Sequence, residues 1–479
     1  MRLTSRDGGV EVSGRLVEFD GAFYQIETEF GTLTVDAAGV TCEGADCPAD
    51  ESGPAELTIG GSPELGSALF ASIVEAFARD RGYTSRREIT GDLNFDIVLS
   101  AEAGEDVGRL QFRIGDMEES AADLGTGQID FLVSDQILTG SEGLIAQRFG
   151  SDALMAVVSP GNHATMISQG NLRAVLAGTI TNWGEMGGPD LPISVHVPDA
   201  ANPLSEQLSA RLYDGAEPAF GSEATQHLEL VDLVDAVAAD PFALGITRYS
   251  ERGNTRALAI AGSCGFEIAP SRIAIKTGDY PQTMSLLIYT RDRRLPPLAR
   301  DLQEYIVGPQ AQAILRLGGY VDLLPETEVL GVQGNRLINA VSLAGVEVPV
   351  SELRRMAGIL RGAERVSVSF RFEPGSTILD AASASNVVRL AEALEAGVYD
   401  GKTVRFVGFS DGVGAADGNR RIGAGRAEAV LAAVNEAAVS LSDERVVLAT
   451  ESFGEAMPLA CDADDWGRDI NRRVEVWVR

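Results

Sequence analysis

Two charged residues near the end of the chain stand where charge is hard to keep. Arg426 lies on a stretch, Asn419 to Ala438, whose apolar positions Ile422, Val430, Ala433, Val434 and Ala437 recur at helical spacing, and it is four residues from both 422 and 430. Its guanidinium is therefore expected on the core-facing side, where an unpaired charge is costly. Asp411 follows the strand-like run TVRFVGF directly, in the loop SDGVGAADGN, whose glycines let a backbone approach a ligand closely. In an open α/β layer, ligands gather where strands give way to helices. Two readings fit this placement: an internal salt bridge between Asp411 and Arg426, or a pocket presenting both signs. Such a pocket suits a zwitterion, because Asp accepts hydrogen bonds from an ammonium while Arg holds a carboxylate through a bidentate fork.

A second candidate lies early in the chain. Gly61 and Ser62 precede a helical pattern with apolar residues at 65, 69, 73 and 77 and beside them at 70 and 74. Ser62 is placed as its N-cap and Pro63 as its first residue, so the pair forms either an ordinary cap or a cradle for an anion. The acids Asp116, Glu118 and Glu119 of GDMEES fit a solvated helix start, with a cation site or a general base as the alternative.

Enzymatic chemistry finds little support. The histidines, His163, His196 and His227, are scattered and away from any cysteine pair, so no metal site is expected. There is no G-x-S-x-G elbow and no P-loop lysine, the only lysines being Lys276 and Lys402. Neither an enzyme nor a cofactor is expected. Cys42 and Cys47 stand in TCEGADCP, where Gly44 lets the chain turn; a disulfide between them is expected, with two free thiols as the alternative. For Cys264 and Cys461 no pairing can be assigned.

At 479 residues the chain exceeds one core, and a prior of about 100 to 200 residues per domain suggests two to four domains. Residues 1–53 read as a small β module: GRLVEFDG, AFYQIETEF and GTLTVDAAGV are β-branched or aromatic runs parted by DG and FG steps. PADESGPAE then marks a boundary. Over 54–325 strands alternate with helices, the sign of an α/β sheet: ELTIG, IDFLVSD, DALMAVVSP, PISVHVP, FALGITRY and SRIAIKTG as strands, NLRAVLAG and LVDAVAAD as helices. Residues 326–362 form a connector without an assigned conformation. Residues 363–479 read βαβαββ, with Val366, Val368, Phe370 and Phe372 on one strand face, a helix over Ala381–Ala396, and a last strand turning Val474, Val476 and Val478 inward.

The formal charge of −31, from 70 acidic and 39 basic residues, speaks against nucleic acid as a partner, which needs a basic patch. No apolar run approaches the ~18 residues that cross a bilayer. The opening MRLTSRDGG has no apolar core of a secretory leader, so export is not visible in it.

Two resemblances place these pieces. FVGFSDGVG, Asn419, the Arg426–Ala427 step and GRDINRRVEVWV resemble the C-terminal domain of the OmpA family. That resemblance implies binding of peptidoglycan, with Asp411 and Arg426 on the α-amino and α-carboxylate groups of diaminopimelate, Asn419 as a polar helper, and Ser410 in the place of a common Thr. It leaves the run Asn471 to Glu475 structural. Gly423, Ala424 and Gly425 depart from the family, and two glycines within a helix cost about 1 kcal/mol each.

TIGGSPELGSALF, GQIDFLVSDQIL, NLRAVLAGTITNWGEMGG, VAADPFALGITRYS, TGDYPQTMSLLIYT and GPQAQAILRLGGYVDL resemble, in order, the phosphate-type periplasmic solute-binding proteins of ABC importers. The fold implied is two α/β lobes around a cleft, with Gly61, Ser62, Ser134 and Asp135 at the solute and an ABC importer as partner. Two family elements are missing: GDMEES replaces a Gly/Ser-rich loop, and DAANPLSE lacks an expected Arg. Acids beside a phosphate oppose it, so an altered solute, or none, is expected. Together the resemblances imply a periplasmic protein associated with peptidoglycan and the outer membrane. The alternative keeps the wall anchor and makes the middle domain a sensing or protein-interaction module.

Overall fold

The computed structural model describes residues 1–479 except 6–8, 20–22, 45, 48–53, 139–142, 294, 346, 374 and 443. The DG step at 20–21 and most of the acidic boundary stretch fall outside the described residues. Packing divides the chain into two compact units, Met1–Ala146 with Ile288–Ile314, and Gln147–Leu287 with Leu315–Arg479.

In the first unit, the N-terminal module forms two three-stranded antiparallel sheets, one of them built from Arg15–Phe19, Phe23–Thr28 and Gly31–Asp36. Gly31 takes a positive φ of 110° at the FG turn, a conformation that other residues resist. Arg300 holds this module through Asp36 at 2.5 Å. Behind it, Ala55–Gly61 is the centre of a parallel trio with Asp106–Ile114 on one side and Phe131–Ser134 on the other. The apolar stripe after Ser62 is fully buried at Leu65, Leu69, Phe70, Ile73, Val74 and Phe77. It winds first as a π-helix, Pro63–Phe70, then as a regular helix, Ala71–Asp80.

Beside a small sheet of Met166–Ser168, Ala259–Ala261 and Glu267–Ile268, the second unit contains two larger ones. One orders Thr225–His227, Ser194–Pro198 and Ala243–Arg248 in parallel, with Leu154–Val158 antiparallel at its side. The other runs Thr327–Val329, Glu364–Phe370, Val474–Val478, Thr403–Phe409, Val447–Gly454. Helices Ala381–Glu395 and Ala416–Ala437 cover one face of that sheet around Phe370, Phe406, Val430 and Val474. The connector supplies the edge strand Thr327–Val329 and two helices, Gly334–Ser342 and Val350–Leu360, whose Ala340, Met356 and Leu360 pack with Val407, Phe409 and Trp477 on the opposite face. A short helix, Asp465–Asn471, lies between the last two strands.

Three sequence expectations fail here. SRIAIKTG is a helix, Arg272–Lys276, and not a strand: Ser271 accepts from Ala274 N at 3.2 Å, and this cap outweighs the β-branched Ile pair. The strand of this region is Thr283–Arg291. Ile422 is 51% exposed, its place on the inner face taken by Gly423. The helix sits so close to the sheet there that a Cβ on Gly408 runs into the Gly423 carbonyl, and one on Gly423 into Ser452. Gly423 is thus required by packing. Lastly, His196 and His227 are not scattered; adjacent parallel strands bring Nδ1 of the first within 2.9 Å of Nε2 of the second.

The strand-rich middle and the C-terminal sheet of the second unit are joined covalently and electrostatically. Cys264 and Cys461, 197 positions apart, form a disulfide. Asp279 receives Arg365 at 2.8 Å and Arg371 at 2.9 Å. Leu459, Ala460 and Ile470 complete the apolar cluster of Leu154, Leu233 and Ile246. Cys42 and Cys47 are also bonded, as expected.

Candidate functional site

Strand Thr403–Phe409 ends at Ser410, and the loop that follows delivers Asp411 to the start of helix Ala416–Ala437. Asp411 does not meet Arg426. Its Oδ2 accepts from Arg472 Nη1 at 2.8 Å and its Oδ1 from Val413 N at 3.1 Å. Arg426 is 5% exposed, its Cζ 5.1 Å from the centroid of the Phe372 ring, and its Nε and Nη1 are buried without a hydrogen-bond partner among the described residues. Burial lowers its pKa, Arg472 lowers it further, and Asp411 opposes both. The internal-salt-bridge reading is thereby corrected: another arginine has taken the acid.

An arginine buried with idle donors is costly unless a counter-charge arrives. The neighbouring polar groups have the same character. Ser410 is buried and its Oγ has no partner among the described residues. Asn419, on the first turn of the helix, is buried and donates from Nδ2 to Glu455. The carboxyls of Glu455 and Asp462 are both shifted upward, chiefly by burial. The site therefore offers a held carboxylate, an unpaired guanidinium over an aromatic ring and a free hydroxyl, which can engage an ammonium and a carboxylate on one small molecule.

Of the run Asn471 to Glu475, the structural reading holds for all but Arg472, with Val474 in the core. Asn471 is buried and grips Ala460 O at 2.8 Å, and Arg473 Nε meets Glu475 at 2.6 Å with both side chains fully buried. Arg472 belongs to the site instead, and sequence reasoning missed it. The only available signal was a basic residue flanked by buried-strand alternation. Phe372 was placed on the inner strand face; the strand ends at Phe370, and Phe372 lies beyond it, half-buried against the same apolar cluster and under Arg426.

The early candidate is a separate constellation in the first unit. Parallel pairing sets Gly61 beside both Ile114 and Val133, so Ser62, Gly115–Asp116 and Ser134–Asp135 all leave the ends of adjacent strands. Gly115 N donates to Gly61 O at 3.3 Å. Gly61 has no room for a side chain, since a Cβ meets Val133 O at 2.8 Å. Ser62 Oγ accepts from Leu65 N at 3.4 Å, as an N-cap does. Ser134 is buried, its Oγ accepting from Gln136 N at 2.9 Å. Asp116 caps helix Met117–Thr126, accepting from Glu118 N at 2.9 Å and Glu119 N at 3.1 Å. The positive end of that helix is thus already answered by a carboxylate of the chain itself. In the second unit, DAANPLSE starts helix Leu204–Leu212, with Asn202 Oδ1 accepting from Leu204 N at 2.9 Å.

Comparison with known proteins agrees with this layout. A model described as the PBP superfamily domain matches residues 48–316, and a model of the OmpA family matches residues 371–472. The phosphate-binding protein PstS of Bacillus subtilis is 25% identical over 277 residues, covering 57% of this chain and 82% of that protein. PstS of Borreliella burgdorferi is 20% identical over 197 residues, 40% of this chain and 70% of that protein. A solved ABC-type phosphate transport receptor from Vibrio cholerae superposes with a TM-score of 0.45 at 17% identity, covering 56% of this chain and 99% of that one.

Proposed function

The chain belongs to the PBP superfamily and carries an OmpA-family domain at its end, and from this we propose a periplasmic binding protein that anchors itself to peptidoglycan. Its organisation is a β module at 1–53, a PstS-like solute-binding domain at 54–325, a connector at 326–362 and the wall-binding domain at 363–479. Arg426 takes the α-carboxylate of diaminopimelate and Asp411 its ammonium, with Asn419 and Ser410 completing the polar lining. The observation that carries this reading is the buried guanidinium of Arg426, whose Nε and Nη1 have no partner among the described residues. Tethering then raises the concentration of the solute-binding domain close to the wall.

The relatives named as phosphate-binding support a small anion as the solute at Gly61, Ser62, Ser134 and Asp135, with an ABC importer as the downstream partner. The anion site is altered: Asp116, Glu118 and Glu119 put negative charge at the strand end next to Gly61. A second reading, a wall-anchored sensing or protein-interaction module that delivers no solute, is favoured by the same three acids.

The anchor is tested by co-sedimentation of the full chain with purified peptidoglycan. Wild type pellets, whereas Asp411→Ala and Arg426→Ala remain in the supernatant. Arg426→Met separates binding from folding, because replacing an unpaired buried cation by an apolar side chain of similar length should leave thermal stability unchanged or raise it. Retention of all variants on the wall would refute the assignment. Calorimetry with phosphate divides the two solute readings, micromolar binding supporting uptake and silence supporting the sensing module.

A further inference from the structure

A cavity of about 260 Å³ opens where the residues before Leu287 meet the C-terminal domain. Arg148 and Tyr280 line it from one side; Arg371, Asp380, Trp466 and Asp469 line it from the other. Its four charged side chains sum to zero, yet Arg148 is left without a close acidic partner among the described residues. Asp380 is engaged as the N-cap of helix Ala381–Glu395, accepting from Ser383 N at 2.7 Å, and Asp469 pairs with Arg472. Arg371 is matched by Asp279. Arg148 is 4% exposed and makes no ion pair among the described residues, binding only Ser151 Oγ and the carbonyls of Gly150 and Lys276. Burial drives its pKa down to about 10, with the charge of Asp380 opposing the shift and that of Arg371 adding to it. Tyr280 is 1% exposed, and its hydroxyl has no hydrogen-bond partner among the described residues. A cation and a phenol left unanswered on one cavity wall describe a place for an anion.

The cavity adjoins the wall site through two links. Arg472 bridges Asp411 and Asp469, the latter a cavity residue. Phe372, under Arg426, directly follows Arg371 in the chain. We infer that the cavity is a second carboxylate subsite of the wall-binding groove, contributed by the solute-binding domain, which receives the carboxylate of the stem-peptide residue next to diaminopimelate. The inference rests on the reading of Asp411 and Arg426 given above. It makes recognition of the wall a joint property of both domains, with the Cys264–Cys461 disulfide holding the two halves of the groove in register.

The test is calorimetry on the full chain with three probes: free meso-diaminopimelate, the tripeptide L-Ala-γ-D-Glu-meso-diaminopimelate, and the same tripeptide amidated at the glutamyl α-carboxylate. Wild type should bind the acid tripeptide about tenfold tighter than either other probe, a charge-assisted contact being what the amide removes. Arg148→Met and Tyr280→Phe should abolish that preference and leave affinity for free diaminopimelate unaltered; Tyr280→Phe loses no internal hydrogen bond, so its fold is secure. Equal binding of the acid and amidated tripeptides by wild type would overturn the subsite, as would a preference that survives both substitutions. If wild type bound no diaminopimelate at all, the earlier reading would fall first and carry this one with it.

Discussion

Arg472 donates from Nη1 to Asp411 Oδ2 at 2.8 Å across 61 positions of sequence, and in doing so keeps the acid away from Arg426. The unpaired state of Arg426 depends on this third residue. Without Arg472, Asp411 is released toward Arg426, and the pocket closes on itself. Arg472→Ala is therefore expected to weaken diaminopimelate binding about tenfold, or about 1.4 kcal/mol, as measured by calorimetry. Binding as tight as wild type would show that Arg472 is a bystander.

The Cys264–Cys461 bond closes a loop of 197 positions, while Cys42–Cys47 closes one of 5. Restricting the unfolded chain is worth more for the longer loop, and removing a native disulfide typically costs about 2–5 kcal/mol. The double variant Cys264→Ser/Cys461→Ser should melt well below wild type, and Cys42→Ser/Cys47→Ser should change the melting curve less. Cys461 is buried but Cys264 is exposed, so a reductant added to the folded protein should reach this bond through Cys264.

Asp116 both caps a helix and charges the strand end beside Gly61. Serine caps nearly as well as aspartate and is neutral. Asp116→Ser should thus leave stability within about 0.5 kcal/mol. Phosphate affinity, followed by titration calorimetry, should rise by an order of magnitude or more. No gain would locate the block to phosphate elsewhere.

Glu475 is fully buried among Arg336, Arg365 and Arg473. Burial alone would raise its pKa, but the three arginines win and hold it far below the usual carboxylate range. A depressed folded value contributes stability that is present above the unfolded value of about 4.3 and lost as pH falls toward the folded one. Chemical denaturation should show no loss from this group between about pH 5 and 8 and a decline in stronger acid. Glu475→Gln should cost about 3–5 kcal/mol at neutral pH, since it strands buried guanidinium groups, and should flatten the acid decline.

Several elements are legible in the chain because their causes are local. The strand Thr403–Phe409 alternates between the two apolar clusters, and Ser62 with Pro63 announces a helix start. Where a local cue misled, a closer or a more distant constraint prevailed: the Ser271 cap over the strand pattern of SRIAIKTG, and the tight approach of Gly408 and Gly423 over the helical stripe through Ile422. The glycines that looked like a weakness of the helix include one that the packing needs.

By itself the sequence determined that an acid after a strand and an arginine on an inward helix face would stand near one another, and that a capped helix would begin at Ser62. Those facts follow from periods of two and 3.6 residues, which a dozen neighbours suffice to set. Only the tertiary structure decided that Asp411 belongs to Arg472, that Cys264 finds Cys461, and that Arg148 lines a cavity without making an ion pair among the described residues. Pairings across 61 and 197 positions are chosen by how sheets and helices pack, and packing depends on the whole chain at once.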